Sequence, residues 1–430
     1  MQPPNTAAAR RAAVAALVLA MLAACSDDRA PTGPDVTPTT ADVAFCSRTD
    51  PVWVAFQDGD GPWTRAQPDA ASFFATYRHT FTTNRAAIAT ATELPDGLTA
   101  LSVRYAAPSE LAAFGDASPA VCSSGEVNTM LVTVAGLETN EVALVSAGND
   151  SRVAAFPGAG NEFVLRGLPT GPQDVLATRL TVVGNAPTMT GIILRRDVQL
   201  PDGATLPVLD FSSPEAFQPA VRNVTLAGLG PEAAISLTTF RTANSSHGLA
   251  LLNGFETVAT RPYHAIPAER LAPADLQVLT ASTAAIDNVA RATVVYFRTP
   301  VDRTLAFGAV PLAPQLSVAA SAPSLRPRAR FSAQADYDRL TSINYQQGQS
   351  TLVSVSMTSA YAAIGAAGYD LIVPELADVE GFDPRWALHA GAPVAWTSAL
   401  IGGTLGLGVN PTPFDGATRR TASDAGVLTP

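Results

Sequence analysis

Two carboxylates stand close together in the run 57–63, which reads QDGDGPW and places Asp58 and Asp60 on a glycine-rich turn. Clustered carboxylate oxygens are the ligands that Ca²⁺ prefers in proteins. A complete EF-hand loop would also need a third ligand and a glutamate at its twelfth position, where this chain has Asp69. The run therefore predicts either a loop that binds a ligand or calcium, or a simple hairpin turn.

Three aromatic residues surround this turn: Trp53 and Phe56 precede it, and Trp63 follows it. Aromatic rings beside a polar loop can stack on sugar rings, but they also fill hydrophobic cores. We therefore take Asp58, Asp60 and Trp63 as the candidate ligand-binding residues, with core packing of the rings as the alternative.

The absence of certain residues and motifs limits the chemistry of the rest of the chain. All 27 lysine-or-arginine positions are arginine, so no P-loop lysine, Schiff-base lysine or Ser-x-x-Lys pair can exist. The four histidines are far apart, without the spacing of zinc ligands, and no Gly-x-Ser-x-Gly motif occurs. We predict no catalytic residue, no metal ligand and no cofactor besides the calcium considered above.

The first 25 residues carry an export pattern. Arg10 and Arg11 precede an apolar run, 12–22, which ends in the sequence Leu22-Ala-Ala-Cys25. This pattern resembles the bacterial lipoprotein signal, and the resemblance implies that the Cys25 thiol receives a diacylglycerol and that residues 1–24 are removed. A plain secretory signal is one alternative. A membrane-spanning helix is another, but the run has about half of the roughly 20 apolar residues needed.

The compartment follows from this resemblance. It implies a cell-envelope protein held on a membrane through its lipid anchor. In this family an aspartate after the cysteine favours retention in the inner membrane, and this chain has Ser26 there. The resemblance therefore favours the outer membrane, on its periplasmic or surface face. The net charge of −10 argues against nucleic-acid binding, which needs clustered positive charge. Five acids fall within 370–386, a run that predicts either a partner or metal surface or an acidic loop between strands.

Two cysteines remain if Cys25 is lipidated. Cys46 and Cys122 would then lie in a compartment that permits disulfides, and we predict that they pair. In the chain-entropy model, closing so long a loop stabilises the fold by roughly 4 kcal/mol. Two buried free thiols are the alternative.

The pattern of the rest of the chain predicts an all-β fold of tandem antiparallel β-sandwich domains. Short apolar and β-branched runs alternate with polar residues at period two and are broken by Gly, Pro, Asn and Asp. The clearest runs are 52–56, 101–105, 129–135, 142–146, 162–166, 188–195, 233–241, 292–299, 304–307 and 353–357. Helical patterns are short, at 267–280 and 359–367.

Length and composition predict several domains. After the signal 1–24 and a Pro/Thr-rich tether, 25–42, we divide the body into a β domain with the disulfide, 43–124, a small β-sandwich, 125–214, a β domain, 215–312, and a C-terminal β domain, 313–430. Within the second, the run 161–179 (NEFVLRGLPTGPQDVLATR) resembles the end of a carboxypeptidase-regulatory-like, transthyretin-type module. The resemblance implies a small β-sandwich and carries no information about catalysis.

Two functions agree with these patterns. The first is a noncatalytic envelope lipoprotein whose β modules bind a partner protein or a polysaccharide. The second is an extracytoplasmic hydrolase with a site that no sequence motif marks. The missing catalytic motifs favour the first function. Whether the chain is an enzyme stays open, with the noncatalytic function preferred.

Overall fold

The computed structural model describes residues 37–430 except for 46–50, 70–74, 95–96, 116–127, 149, 155–160, 169–170, 184–185, 200, 245, 248–257, 363–367 and 408–410. The lipidation signal with Cys25, and the predicted pair Cys46 and Cys122, lie outside the described residues. The described ends of the two cysteine segments meet, since a Cβ on Gly115 would lie 2.5 Å from the carbonyl oxygen of Ala44. The disulfide itself stays a prediction.

The described chain is nearly all β, as the period-two pattern predicts. Each of the ten predicted runs overlaps a strand. The strands are β1 (Thr39–Phe45), β2 (Trp53–Asp58), β3 (Thr64–Arg65), β4 (Ala75–Phe81), β5 (Ala86–Glu93), β6 (Thr99–Ala106), β7 (Asn128–Ala135), β8 (Glu141–Ala147), β9 (Asp150–Ala154), β10 (Glu162–Leu168), β11 (Gln173–Val183), β12 (Ala186–Val198), β13 (Ala204–Thr205), β14 (Leu209–Asp210), β15 (Ala220–Ala227), β16 (Ala234–Arg241), β17 (Ser246–His247), β18 (Thr260–Ala265), β19 (Leu276–Thr283), β20 (Ala290–Phe297), β21 (Arg303–Ala306), β22 (Gln315–Ala320), β23 (Arg326–Phe331), β24 (Leu340–Gln347), β25 (Thr351–Thr358), β26 (Tyr369–Ile372), β27 (Val394–Gly402) and β28 (Thr418–Leu428).

Helical structure is confined to single turns in the described residues. These are α1 (Pro108–Leu111), α2 (Ser359–Ala362) and the 3₁₀ turns Ala112–Phe114, Ala268–Arg270 and Pro384–Trp386. The run 267–280, for which a short helix was predicted, forms one 3₁₀ turn and then enters β19, because its β-branched and apolar residues pair with β16 and β20. None of the helices in the described part of the chain has the length and apolarity needed to cross a membrane.

One sheet of twelve strands dominates the unit Thr39–Pro430, in the order β17-β16-β19-β20-β28-β27-β24-β25-β6-β5-β2-β3. Strand β28 joins its two parts, since it pairs with β20 on one side and with β27 on the other. The pairing of β25 with β6 is parallel, which brings strands far apart in sequence side by side. The sheet crosses the predicted domain boundaries at 124 and 312, and the division into four domains stays a prediction.

The alternation in each strand decides which face is buried. In β25, Val353, Val355 and Met357 are buried, while Ser354 and Ser356 between them are partly exposed on the other face. The largest core lies on this buried side of the sheet, where β23 and β26 pack against it with Phe331 and Leu371. The opposite face around β2 and β5 is covered by the two-stranded antiparallel sheet of β1 and β4.

Two smaller sheets enclose a separate core, whose residues come from the sequence range 130–211. One contains β10, β7, β13 and β14, and the other contains β12, β11, β8 and β9. Their buried apolar residues, including Val132, Val145 and Ile193, form one hydrophobic cluster. The run that resembles a transthyretin-type module supplies β10 and the start of β11, one strand in each sheet.

The first described strand begins at Thr39, inside the segment predicted as a tether. Ala41, Val43 and Phe45 alternate with exposed or half-buried residues, and their side chains are buried against β4 and α1. The prolines at 31, 34 and 38 favour a tether without regular structure, whereas the alternation after Pro38 is that of a strand.

Candidate ligand-binding cleft

Asp58 closes the turn that follows β2. Its carboxylate accepts hydrogen bonds from the backbone N–H and hydroxyl of Thr82, at 2.7 and 2.6 Å, and of Thr83, at 3.1 and 2.7 Å. Burial raises the pKa of Asp58 and these hydrogen bonds lower it, with a net decrease. The carboxylate thus fastens the 58–61 turn to the turn that follows β4.

Asp60 lies on the other side of the same turn and is 84% exposed. Its Oδ2 is 3.1 Å from a guanidinium nitrogen of Arg85. Gln57 donates from Nε2 to the Gly61 carbonyl at 2.8 Å, which holds the backbone between Asp60 and Trp63 in place. The turn therefore directs the Asp58 carboxylate to Thr82 and Thr83 and presents the Asp60 carboxylate, with Trp63, to a neighbouring cleft.

This cleft has a volume of about 370 Å³ and is open to solvent. It is formed by the 58–63 turn, the start of β5, and strands β6, β23, β25 and β26 with helix α2. The parallel pairing of β6 with β25 is what brings the first and last of these elements together. The lining residues are Gln57, Asp60, Trp63, Arg85, Tyr105, Arg326, Met357, Tyr361, Asp370, Ile372, Pro374 and Glu375.

The floor of the cleft is aromatic. The rings of Tyr105 and Tyr361 lie 5.1 Å apart, and the Trp63 ring lies edge-on to Tyr105 at 6.5 Å. Arg85 covers the Tyr361 ring at 4.5 Å and donates to its hydroxyl at 3.1 Å. Burial raises the pKa of both tyrosines, so that both are neutral phenols at physiological pH.

Tyr105 differs from the other rings because its hydroxyl has no hydrogen-bond partner among the residues that the structure describes. The residue is only 7% exposed, and it lines the cleft. This hydroxyl is therefore free to bond with a molecule that enters the cleft.

Each carboxylate in the lining pairs with an arginine. Besides the pair of Asp60 with Arg85, Glu375 is 3.4 Å from Arg326. Asp370 accepts from Arg328 and is 3.5 Å from Arg330, and the Arg328 hydrogen bonds lower its pKa. The cleft thus presents aromatic surface and polar groups with little net charge.

A second cavity, of about 430 Å³, lies between the 333–338 loop, Ser359 and Tyr369. Its lining contains one charged residue, Asp338, and none of the residues singled out from the sequence. The Tyr337 hydroxyl at its edge already donates to the Ala309 carbonyl at 2.7 Å. The smaller cleft gathers more groups that can recognise a ligand, so we take it as the candidate site.

The structure separates the residues that the sequence grouped around the turn. Asp60 and Trp63 line the cleft, whereas Asp58 serves the turn. Trp53 is 2% exposed and donates from Nε1 to the Glu380 carbonyl, and Phe56 is buried against His79. No group of three or more His, Cys, Asp or Glu residues that could hold a metal occurs in the described ranges.

Several cleft residues were not singled out from the sequence, among them Arg85, Tyr105 and Tyr361. No local motif marks them, because strand pairing brings them together. The acidic run 370–386 did give a signal, and two of its five acids, Asp370 and Glu375, line the cleft.

No model of a known protein family matches the chain, and no curated protein matches it.

Proposed function

We propose that this chain is a noncatalytic cell-envelope lipoprotein that binds an envelope polysaccharide or partner through the cleft described above. The lipid on Cys25 holds the protein on the outer membrane, and the β-rich body carries the site. The observation that carries the proposal is the cleft itself: three aromatic rings, paired charges and an unpartnered Tyr105 hydroxyl meet in one open cavity. Small-molecule sites combine apolar walls with a few placed polar groups in this way.

The pairing of charges supports binding rather than catalysis. A general acid must hold a proton near neutral pH, which requires an environment that disfavours the carboxylate. Asp60, Asp370 and Glu375 are each paired with an arginine, and the hydrogen bonds from Arg328 lower the pKa of Asp370. Asp370 is therefore suited to hydrogen bonding to a ligand rather than to proton transfer.

Binding is tested with the full-length protein in detergent on a glycan array and in pull-downs from envelope extract. Retention of a glycan or an envelope component by the wild type, and its loss in Trp63→Ala, supports the proposal. Trp53→Phe is the matched control, since Trp53 lies in the core at the start of the strand that leads into this turn, and the substitution keeps an aromatic ring. Failure of both experiments to detect a ligand contradicts the binding function.

The anchor is tested separately by labelling with palmitate. The wild type incorporates the label, and Cys25→Ser does not and leaves the membrane fraction. An unlabelled wild-type protein, or one that retains residues 1–24, contradicts the lipoprotein part of the proposal and leaves the cleft unaffected.

A hydrolase is the second candidate, and the three carboxylates in the lining are the observation that favours it. Broad glycosidase, esterase and peptidase screens test it directly. Turnover that disappears in Asp60→Asn or Glu375→Gln would replace the noncatalytic proposal. Absence of turnover with every substrate class removes the hydrolase.

A further inference from the structure

We infer that the cleft binds an uncharged sugar ring, that is, a neutral pyranose unit of a polysaccharide. Trp63 supplies the surface on which the ring packs, and the Tyr105 hydroxyl bonds to one of its hydroxyl groups. This inference rests on the proposed binding function and names the class of ligand.

The charges of the lining argue for a neutral ligand. Asp60 is paired with Arg85, Glu375 with Arg326, and Asp370 with Arg328. An anionic or a cationic ligand would have to compete with one of these existing partners. A sugar hydroxyl both donates and accepts, so it can bond to a paired carboxylate and a paired guanidinium without separating them.

Trp63 offers the open aromatic surface. The face of Tyr361 is covered by the Arg85 guanidinium at 4.5 Å, and Tyr105 is almost wholly buried. Trp63 is only half-buried, and its indole N–H has no hydrogen-bond partner within the described ranges. An indole of this kind has an apolar face and a polar edge, which matches the C–H face and the hydroxyl rim of a pyranose.

The Tyr105 hydroxyl gives the most specific argument. Tyr105 lines the cleft, and its hydroxyl has no hydrogen-bond partner among the described residues, so this hydroxyl can gain a partner when a ligand binds. Tyr345 provides a comparison inside the same core: its hydroxyl also has no partner in the described part of the chain, but it is fully buried and does not line the cleft. Of these two tyrosines, only Tyr105 can reach a ligand in the cleft.

The size of the cleft limits the ligand. A volume of about 370 Å³ lies at the small end of the range for small-molecule sites, roughly 300–1,000 Å³. The cleft therefore accommodates one or two sugar rings, and the rest of a polysaccharide would extend into solvent through the open side.

The test is calorimetric titration of the full-length protein in detergent with three sets of short oligosaccharides of equal length. One set is neutral, built from glucose, mannose or galactose; one contains uronic acids; one contains free amino sugars. We expect binding within the neutral set. Trp63→Ala lowers that affinity at least 10-fold, and Trp63→Phe, which keeps a ring, lowers it less.

The tyrosine pair separates ligand contact from structure. We expect Tyr105→Phe to lower the affinity 3- to 10-fold while the midpoint of urea unfolding stays the same or rises, because the lost hydroxyl had no partner. Tyr345→Phe serves as the matched control and leaves the affinity unchanged.

The outcomes distinguish the inference from the function on which it rests. If charged oligosaccharides bind instead of neutral ones, and Trp63→Ala abolishes that binding, the neutral class is wrong and the binding cleft stands. If neutral oligosaccharides bind but Tyr105→Phe and Trp63→Ala have no effect, the inferred site is wrong. If no oligosaccharide binds and the array and pull-downs also find nothing, the proposed function fails with the inference.

Discussion

Glu232 and Arg291 form a buried ion pair whose disruption has a predictable effect on stability. Their side chains are only 8% and 3% exposed, and Arg291 donates to Glu232 Oε1 at 3.0 and 2.7 Å. Arg291 also donates to the Gly308 carbonyl, and Glu232 accepts from the N–H of Gly230 at 2.9 Å. The pair thereby ties β20 to the loops before β16 and after β21.

Replacing Arg291 with methionine keeps the volume of the side chain but removes the charge. Glu232 is then buried without a cation, and breaking a buried pair in this way costs about 3–5 kcal/mol. The Gly308 carbonyl also loses its donor. The double variant Glu232→Gln/Arg291→Met carries no buried charge, and we expect it to be more stable than Arg291→Met alone.

The effect of pH gives an independent check. In the wild type, burial raises the pKa of Glu232 and the Arg291 hydrogen bonds lower it, with a net decrease below the ordinary value of 4.5. The stabilisation from this pair is therefore present above about pH 4.5 and is lost at lower pH. In Arg291→Met burial and the Gly230 hydrogen bond remain but the arginine is lost, so the pKa of Glu232 is higher than in the wild type and the destabilisation of the variant shrinks as the pH falls from 7 to 4.

The measurement is equilibrium urea unfolding at pH 7 and pH 4. The control is Arg78→Ala, which removes a surface pair with Asp42. Their side chains are 61% and 47% exposed, so its loss should change stability much less than the loss of the buried pair. A loss in Arg291→Met no greater than that of Arg78→Ala, or one that does not depend on pH, would refute the reasoning.

Three further predictions concern other sites. Burial lowers the pKa of His264 below its ordinary 6.5, so the free energy of unfolding should decrease as the pH falls below about 6.5. In urea unfolding at several pH values, His264→Phe should make this decrease smaller. Asp58→Asn presents an N–H₂ to donors of the turn after β4 and should lower the free energy of unfolding by about 1–3 kcal/mol; an unchanged unfolding midpoint would count against this role. Mass spectrometry of unreduced peptides should find Cys46 linked to Cys122, and free thiols at both positions would contradict the pairing.

The sequence allowed much of the strand content to be predicted, because alternation reports directly on burial. Val353, Val355 and Met357 are buried and the two serines that alternate with them are partly exposed, which is what period two requires. The position of each strand within a sheet could not be predicted in this way. The parallel neighbours β6 and β25 carry the same kind of alternation as antiparallel ones, and their pairing depends on contacts far apart in sequence.

The same distinction explains which parts of the site were found. Asp60 and Trp63 belong to one short run with a turn signal, so local reasoning reached them. Tyr105 and Tyr361 meet only because β6 lies beside β25, which leads into α2. A tyrosine in an alternating strand looks like an ordinary core residue, and its unpartnered hydroxyl becomes visible only when the neighbours are known.

The position of β28 has a consequence for how the protein reaches its folded form. Residues 418–428 follow every other strand of the twelve-stranded sheet, yet they lie between β20 and β27. Until this segment has been synthesised and has paired, both of those strands have an exposed hydrogen-bonding edge, which invites pairing with other chains. Contacts between such distant segments also make folding slow. The chain therefore has to stay unaggregated until its last strand is in place, and a chaperone would be expected to increase its yield.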